Sequence, residues 1–525
     1  MSSDSKWLKG ALLLTVAGLI SKVLSAGYRI PLQNLTGDIG FYIYQQVYPL
    51  LGMGMILALY GFPSAISKLT AESKKKGNTR TTANFYYPIF LILFLVMGTL
   101  AVLLFVSASS LASWIGDPGL TQAYQLVAFS FLLIPFTSLL RGVMQGSGNM
   151  KPTAYSQIGE QFFRVLLILA VAVYVSFSGA DLYRIGEGAA IAGIGGALTA
   201  IFILTLFVRK SEQPPLLMQT SVPWRYYIQT ILLFGLVASL NHMVLLLFQF
   251  ADAFTLVSGL QEYGLSQVDA MEAKGVLDRG QPLIQLGTVL GSSFALAMIP
   301  SVSQHRLQED APSFYQHIRS SIAIGFYLAV GATAGLIAIM PEANILLFED
   351  TKGTSDLQIL VFAILLSSIG VTCATILQGL GWTKRTAIFI ILSVFVKGLG
   401  NELLVPIFGI TGAAIATILG LACFSLLVFI ELKRKLPKLM LIRQINWQAV
   451  LLAVSAMLLY IFIIDLFIPE LSRVDALLYV GFVAGTGACI YLFILLRGRA
   501  FISEEINMLP FSHIWMRIYK ERKRT

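Results

Sequence analysis

Charge is scarce in this chain. Only 12% of its 525 residues are Asp, Glu, Lys or Arg, while 56% are hydrophobic, and the mean hydropathy is +0.78. A soluble fold of that size needs a charged coat, so the composition excludes one. Cysteine is scarcer still. Cys373, Cys423 and Cys489 each sit inside an apolar run, which excludes a disulfide framework and reads them as small buried hydrophobes. The four histidines, His242, His305, His317 and His513, have no ligand spacing, so neither a metal site nor a cofactor is expected. No small-residue cleavage site follows the first apolar run, so that run is expected to remain as a span rather than leave as a signal peptide. Short alternating segments are missing too, which excludes a β-barrel. No nucleophile–base arrangement and no nucleotide motif is present, so the chain is not expected to be an enzyme.

What the sequence does have is long apolar runs. A bilayer crossing needs about 20 apolar residues. About fourteen such runs are present, near 10–32, 40–66, 85–107, 124–144, 155–175, 186–208, 227–257, 277–299, 322–347, 357–377, 387–407, 412–430, 449–467 and 476–496. The expected fold class is an all-α polytopic membrane protein. The run at 227–257 is too long to cross straight and predicts a tilt or a bend. The linker 209–225 carries Pro214, Pro215 and Pro223, which stop a helix and separate the halves. The expected division is 1–212 with spans 1 to 6, 213–432 with spans 7 to 12, 433–497 with spans 13 and 14, and a basic amphipathic cytoplasmic tail, 498–525.

The net charge of +10 is distributed unevenly. Even-numbered connections hold Lys68, Lys74, Lys75, Lys76 and Arg80, then Lys151, Arg209 and Lys210, Arg306, Lys384 and Arg385, and Lys433 to Lys438. The other connections are acidic: Asp38, Asp117, Asp181, Glu262, Asp269, Glu272, Glu342, Glu349, Asp350, Asp356, Glu470 and Asp475. That is the positive-inside pattern, with both termini cytoplasmic. It accounts for the basic balance without nucleic acid. In the tail, Phe511, Ile514, Trp515, Ile518 and Tyr519 recur at helical spacing among basic residues. Two readings stand level: a helix lying on anionic lipid, or a solvated basic tail.

The chain also repeats itself. Gln145 to Ala154 reads QGSGNMKPTA and Gln378 to Ala387 reads QGLGWTKRTA, six of ten positions alike at an offset of 233. FPSAIS at Phe62 returns as IPSVS at Ile299, and GAAIA at Gly188 returns at Gly412, in the same order. Chance matches between Gly/Ala-rich helices are the bland alternative. Three ordered matches favour two six-span copies in parallel orientation. Paired repeats of that kind usually enclose a transport pathway.

Several charges fall inside spans, where each costs a few kcal/mol or more and so tends to serve a function. Lys22 and Arg29 lie on span 1, Glu160 and Arg164 on span 5, Asp252 on span 7, Asp278 and Arg279 at the start of span 8, and Lys397 and Glu402 on span 11. Arg164 and Lys397 are also 233 apart, so each half places a cation at the same point of its fifth span. The structural alternative is pairing of Glu160 with Arg164 and of Asp278 with Arg279. Lys22 and Lys397 have no local partner in sequence. A cluster of cations in an apolar cavity suits an anionic, partly lipidic substrate, since Arg and Lys are natural ligands of phosphate oxygens. A carrier of organic cations would need carboxylates or aromatic cages instead. Tyr42, Tyr44 and Tyr48 suit stacking on sugar faces, and equally suit plain packing.

LLRGVMQGSGNMKPTAYSQIGEQFFR at Leu139–Arg164, ISKVLSAGYRIPL at Ile20–Leu32, LDRGQPLIQLGTVLGSSFALAMIPSVS at Leu277–Ser303 and GITGAAIAT at Gly409–Thr417 carry a resemblance. They resemble the multidrug/oligosaccharidyl-lipid/polysaccharide exporter superfamily. Within it they look most like the polysaccharide-export branch of stage V sporulation protein B, near the lipid II flippase MurJ. The resemblance covers spans 1 to 12. It implies two pseudo-symmetric six-helix lobes around a central cavity; spans 13 and 14, outside the duplication, are two further C-terminal helices. It implies an alternating-access flippase of an undecaprenyl-pyrophosphate-linked glycan or peptidoglycan precursor, monomeric, in the bacterial cytoplasmic membrane. A drug or metabolite exporter of the same superfamily is the alternative. The substrate-binding residues it implies, together with the buried cations above, are Lys22, Arg29, Arg164, Arg279 and Lys397. The span 2 arginine of the flippase has no counterpart; Met53 stands near its place. Some relatives hold a sodium ion between spans 7, 11 and 12, where Asp252, Asn401 and Thr417 correspond. Lys397, four residues before Asn401, sits where such a site would want an oxygen.

Overall fold

The computed structural model describes residues 3–75, 82–209, 222–298, 311–439, 445–468, 471–502, 505, 506 and 516. Every regular element among them is helical. The helices are α1 Ser3–Gly27, α2 Arg29–Ile56, α3 Phe62–Lys75, α4 Tyr87–Ile115, α5 Thr121–Phe131, α6 Ile134–Gly146, α7 Lys151–Ser178 and α8 Arg184–Arg209. Next come α9 Trp224–Gln229, α10 Gly235–Leu240, α11 Val244–Glu262, α12 Gln267–Asp278, α13 Gly280–Met298, α14 Ala311–Ala338, α15 Met340–Phe348 and α16 Thr354–Gly379. The last are α17 Thr383–Phe408, α18 Ile410–Lys435, α19 Trp447–Asp465 and α20 Arg473–Arg497.

Twelve stretches among the described residues are long and apolar enough to cross a membrane. The longest, Leu13–Lys74, takes in both the first and the second expected span. Between them Gly37 adopts φ 68 and ψ −175, which breaks the helical path. Only glycine takes that conformation without strain. The seventh expected span does bend: it is interrupted at Asn241–Met243, between α10 and α11. The acidic connection between the seventh and eighth expected spans is largely helical. α11 runs to Glu262, Gly264 turns the chain at φ 111, and α12 starts at Gln267. No proline interrupts the stretch, and one glycine suffices for the turn. The second IPSVS copy, the basic residues Lys76, Arg80, Lys210 and Arg306, and the tail from Phe511 to Tyr519 apart from Met516 lie outside the described residues.

The chain divides into two compact units, Met1–Asp278 with Thr383–Ala416, and Arg279–Trp382 with Thr417–Thr525. In the first, α7 packs along α8, α1 along α7, α12 against α2, and α11 against α17. Glycines set these distances. A Cβ at Gly188 would lie 2.5 Å from Val171, and one at Gly196 would lie 2.9 Å from the Glu160 carbonyl oxygen. A Cβ at Gly275 would lie 2.2 Å from the Asp38 carbonyl oxygen. Small residues are what let membrane helices approach this closely. Asp117 ties three elements at one end: Tyr42 and Tyr183 donate their hydroxyls to its carboxylate at 3.1 and 2.6 Å, and the Gly119 amide donates at 3.2 Å. Burial nevertheless pushes this carboxyl up from its ordinary range, against the pull of those donors.

In the second unit, α13, α14 and α16 pack on one another, and α14 packs on α19, which pairs with α20. Its core holds Tyr327, Tyr491, Met457, Ile461 and Phe501. Both buried phenols are satisfied. Tyr491 donates to the Tyr327 carbonyl oxygen at 2.8 Å, and Tyr327 to that of Ala500 at 3.1 Å. The Tyr491 ring packs against Gly331, where a Cβ would lie 2.5 Å from it.

Candidate functional site

The first unit holds a buried guanidinium at the junction of α1 and α2. Arg29 is 0% exposed, and its Cζ lies 4.0 Å from the centre of the Tyr48 ring. Tyr28 stands edge-on to Tyr44 at 6.0 Å, and the two hydroxyls hydrogen-bond. Tyr44 lies 5.6 Å from Tyr48, one turn further along α2. Nε, Nη1 and Nη2 of Arg29 meet no acceptor in full hydrogen-bond geometry among the described residues, although the Tyr28 hydroxyl is near enough to act on the guanidinium. A cation–π contact is worth about 2 kcal/mol when desolvated. Leaving a buried charged group without hydrogen bonds costs more than that. The guanidinium thus keeps unused donor capacity beside the rings of Tyr28, Tyr44 and Tyr48. Arg29 and Arg164 are both close enough for their charges to act on Tyr28.

A second group brings together three residues expected from sequence. Lys397 Nζ lies 2.7 Å from Asp252 Oδ1, 2.9 Å from Asn401 Oδ1 and 3.0 Å from the Ala413 carbonyl oxygen. Asn401 Nδ2 donates to Asp252 Oδ1 at 2.7 Å and to Thr255 Oγ1 at 2.8 Å. Lys397 and Asn401 are 0% exposed, and Asp252 4%. Lys397 is thus not the isolated cation that its sequence neighbourhood suggests. Its partner is on another helix, beyond any helical spacing rule, while Glu402 points out into an exposed position. The sodium ion implied by the resemblance does not fit beside this ammonium: the Asp252 and Asn401 oxygens already hold one cation. Thr417, the third expected ligand, is buried on α18 in the second unit.

Glu160 pairs with Arg164 at 2.6 Å, as its spacing allows, but also with Arg141 at 2.7 Å. Arg141 donates its remaining hydrogen bonds to Ser156 at 3.1 Å and to the Ala58 carbonyl oxygen at 3.3 Å. A cavity of about 30 Å³ beside the triad is lined by Glu160, Arg164, Thr137, Ser130 and Gly54. That is room for about two waters. Two cations around one carboxylate leave the group positive. Lys22 is half-buried on α1, near His242, whose ring stacks on Tyr60 at 4.2 Å.

The pairing of Asp278 with Arg279 does not occur. Asp278 faces back along α12 to Lys274 at 2.7 Å, and Arg279, in the second unit, binds both carboxylate oxygens of Asp350 at 2.5 and 3.0 Å. Adjacent residues near a helix end point about 100° apart, so each finds a partner elsewhere: Asp278 a base, Arg279 an acid. Burial tends to raise the Asp350 carboxyl. The Arg279 hydrogen bonds and charge, with the Lys352 amide, outweigh it and hold the group below its ordinary range. Lys274, Arg141, Tyr28 and Asp350 were not singled out in the sequence. Lys274 carried a signal, being four residues before Asp278; Asp350 carried none.

A family model described as "Polysaccharide biosynthesis protein" matches residues 7–306. The uncharacterized membrane protein YabM of Bacillus subtilis (strain 168) is 36% identical over 98% of this chain and 97% of its own. The lipid II flippase MurJ of the same organism is 26% identical, covering 82% of this chain and 83% of its own. Stage V sporulation protein B, again from that organism, is 22% identical over 96% and 98%. Among solved structures, a lipid II flippase MurJ in an inward closed conformation superposes with a TM-score of 0.67 at 12% identity, covering 92% of this chain and 98% of that one. An inward-facing multidrug resistance MATE family transporter gives 0.59 at 16%, covering 82% and 98%. This multi-pass helical chain therefore belongs to the polysaccharide biosynthesis protein family, within the multidrug/oligosaccharidyl-lipid/polysaccharide exporter superfamily.

Proposed function

We propose that the protein is a flippase that carries an undecaprenyl-pyrophosphate-linked glycan or peptidoglycan precursor across the bacterial cytoplasmic membrane. The observation that carries this reading is Arg29: a fully buried guanidinium, stacked on Tyr48, with no acceptor in full hydrogen-bond geometry among the described residues. A diphosphate offers the paired oxygens a guanidinium binds through two parallel hydrogen bonds. The phenols of Tyr28, Tyr44 and Tyr48 offer ring faces and hydroxyls to a sugar. Arg164 supplies a second positive charge from α7. Lys22 and Arg279 are further phosphate ligands in this reading, Arg279 by exchanging Asp350 for substrate. Lys397 is reassigned from substrate to the cage around Asp252. The relatives support the same class, since one of them is a lipid II flippase.

Transport here is alternating exposure of the site to the two sides, with no covalent step. Two six-span halves, 1–212 and 213–432, supply the moving parts, the protein works as a monomer, and both termini face the cytoplasm. The drug-exporter alternative is disfavoured because Glu160 and Asp252, its candidate carboxylates, are both held by cations. The test is complementation of cells depleted of their lipid II flippase, read by a leaflet-accessibility assay for the precursor. Rescue by the wild type and loss with Arg29→Ala at equal membrane abundance support the reading. Rescue undiminished by Arg29→Ala refutes the guanidinium site. Dye expulsion without precursor movement refutes the substrate class.

A further inference from the structure

The oxygens around Lys397 form a site with the chemistry of a monovalent-cation cage. Asp252 supplies one full negative charge, Asn401 an amide oxygen and Ala413 a carbonyl oxygen, at 2.7, 2.9 and 3.0 Å from Nζ. Thr255 Oγ1 completes the rim through Asn401 Nδ2 at 2.8 Å. Hard oxygen donors of this kind suit alkali and alkaline-earth cations. One carboxylate balances one positive charge; a divalent ion would leave a buried excess, which is costly. The nearest other ions, Lys274 and Asp278, pair with each other at 2.7 Å and add no net charge. The occupant of the cage is fixed to α17 by its own aliphatic stem. It cannot be exchanged with the solution on either side.

We propose that the Lys397 ammonium is a tethered cation. It holds α11, α17 and the start of α18 together with no sodium or potassium, and removing it opens a site that takes one of them. The protein thereby departs from the sodium site its resemblance implies, and the departure is local to one side chain.

The test uses the purified full-length protein, with thermal unfolding measured in sodium, potassium or choline chloride at equal ionic strength. Wild type unfolds at one temperature in all three. Lys397→Ala unfolds earlier in choline, and sodium or potassium raises its Tm by about 2 °C or more. Methylammonium, an untethered ammonium, raises it as well. Adding Asp252→Asn to the variant abolishes these shifts. A sodium- or potassium-specific rise in the wild type overturns the proposal. So does a folded Lys397→Ala variant with the same Tm in every salt. Where Lys397→Ala cannot be purified, Lys397→Thr, which keeps an oxygen in the cage, is read by the same criteria. No lipid substrate enters the experiment, so its failure leaves the flippase reading standing, and the reverse holds too.

Discussion

At the scale of single residues, five of the six buried cations among the described residues contact a carboxylate directly and the sixth does not. Arg141, Arg164, Lys274, Arg279 and Lys397 each contact a carboxylate; Arg29 stacks on a ring. A charge-assisted hydrogen bond contributes about 1.5–3 kcal/mol. Arg29→Ala is therefore expected to slow precursor transport about 10- to 100-fold with little loss of stability. Arg29→Lys, which keeps the charge but loses the fork, falls between them. Glu160→Gln strips the counter-ion from two arginines and is expected to destabilise the protein by about 3–5 kcal/mol, measured as lost yield or lowered Tm. Asp350 has the opposite experimental virtue, being outside the spans and titratable. Its folded carboxyl lies below its unfolded value, so the Arg279 pair is at full strength above about pH 4 and weakens as pH falls through the folded value. Asp350→Asn is expected to flatten the acid-side loss of Tm. Because Asp350 is partly exposed, the difference is small. Parallel curves for the two proteins would show that the pair contributes nothing.

At the scale of elements, close approach is the governing constraint. Gly275→Val is expected to push α12 from α2 and lower stability by about 1–3 kcal/mol, and Gly37→Ala to cost a similar amount through its backbone. Fluorescence-detected size exclusion after heating measures both. The same local view explains what the sequence revealed. The repeated QG-x-G motif builds the same turn twice. Gly148 and Gly381 sit at φ 89 and 87, and their amides donate to Gln145 and Gln378, both at 2.9 Å. The GAAIA copies both mark tight packing, Gly188 on Val171 and Gly412 on the Leu404 carbonyl oxygen. Turns and small-residue faces are local, so their chemistry is written in adjacent letters. The Lys397–Asp252 and Arg279–Asp350 pairs are not local. Each joins side chains of different segments, and periodicity along one helix carries no information about them. The kink at Gly37 was legible only as a gap between apolar runs, and α12 was hidden because its polar surface resembles a loop.

At the scale of the whole molecule, an apolar chain keeps a small number of ions inside, and among the described residues every buried cation except Arg29 contacts a carboxylate. Arg29 and its tyrosine surround are the site on which the proposed substrate rests. The most direct measurement is movement of a fluorescent polyprenyl-pyrophosphate sugar across proteoliposomes that contain the purified protein, followed by leaflet-selective quenching. The expected result is transfer by the wild type and its reduction about 10- to 100-fold in Arg29→Ala. Equal transfer by wild type, Arg29→Ala and protein-free vesicles would contradict the account.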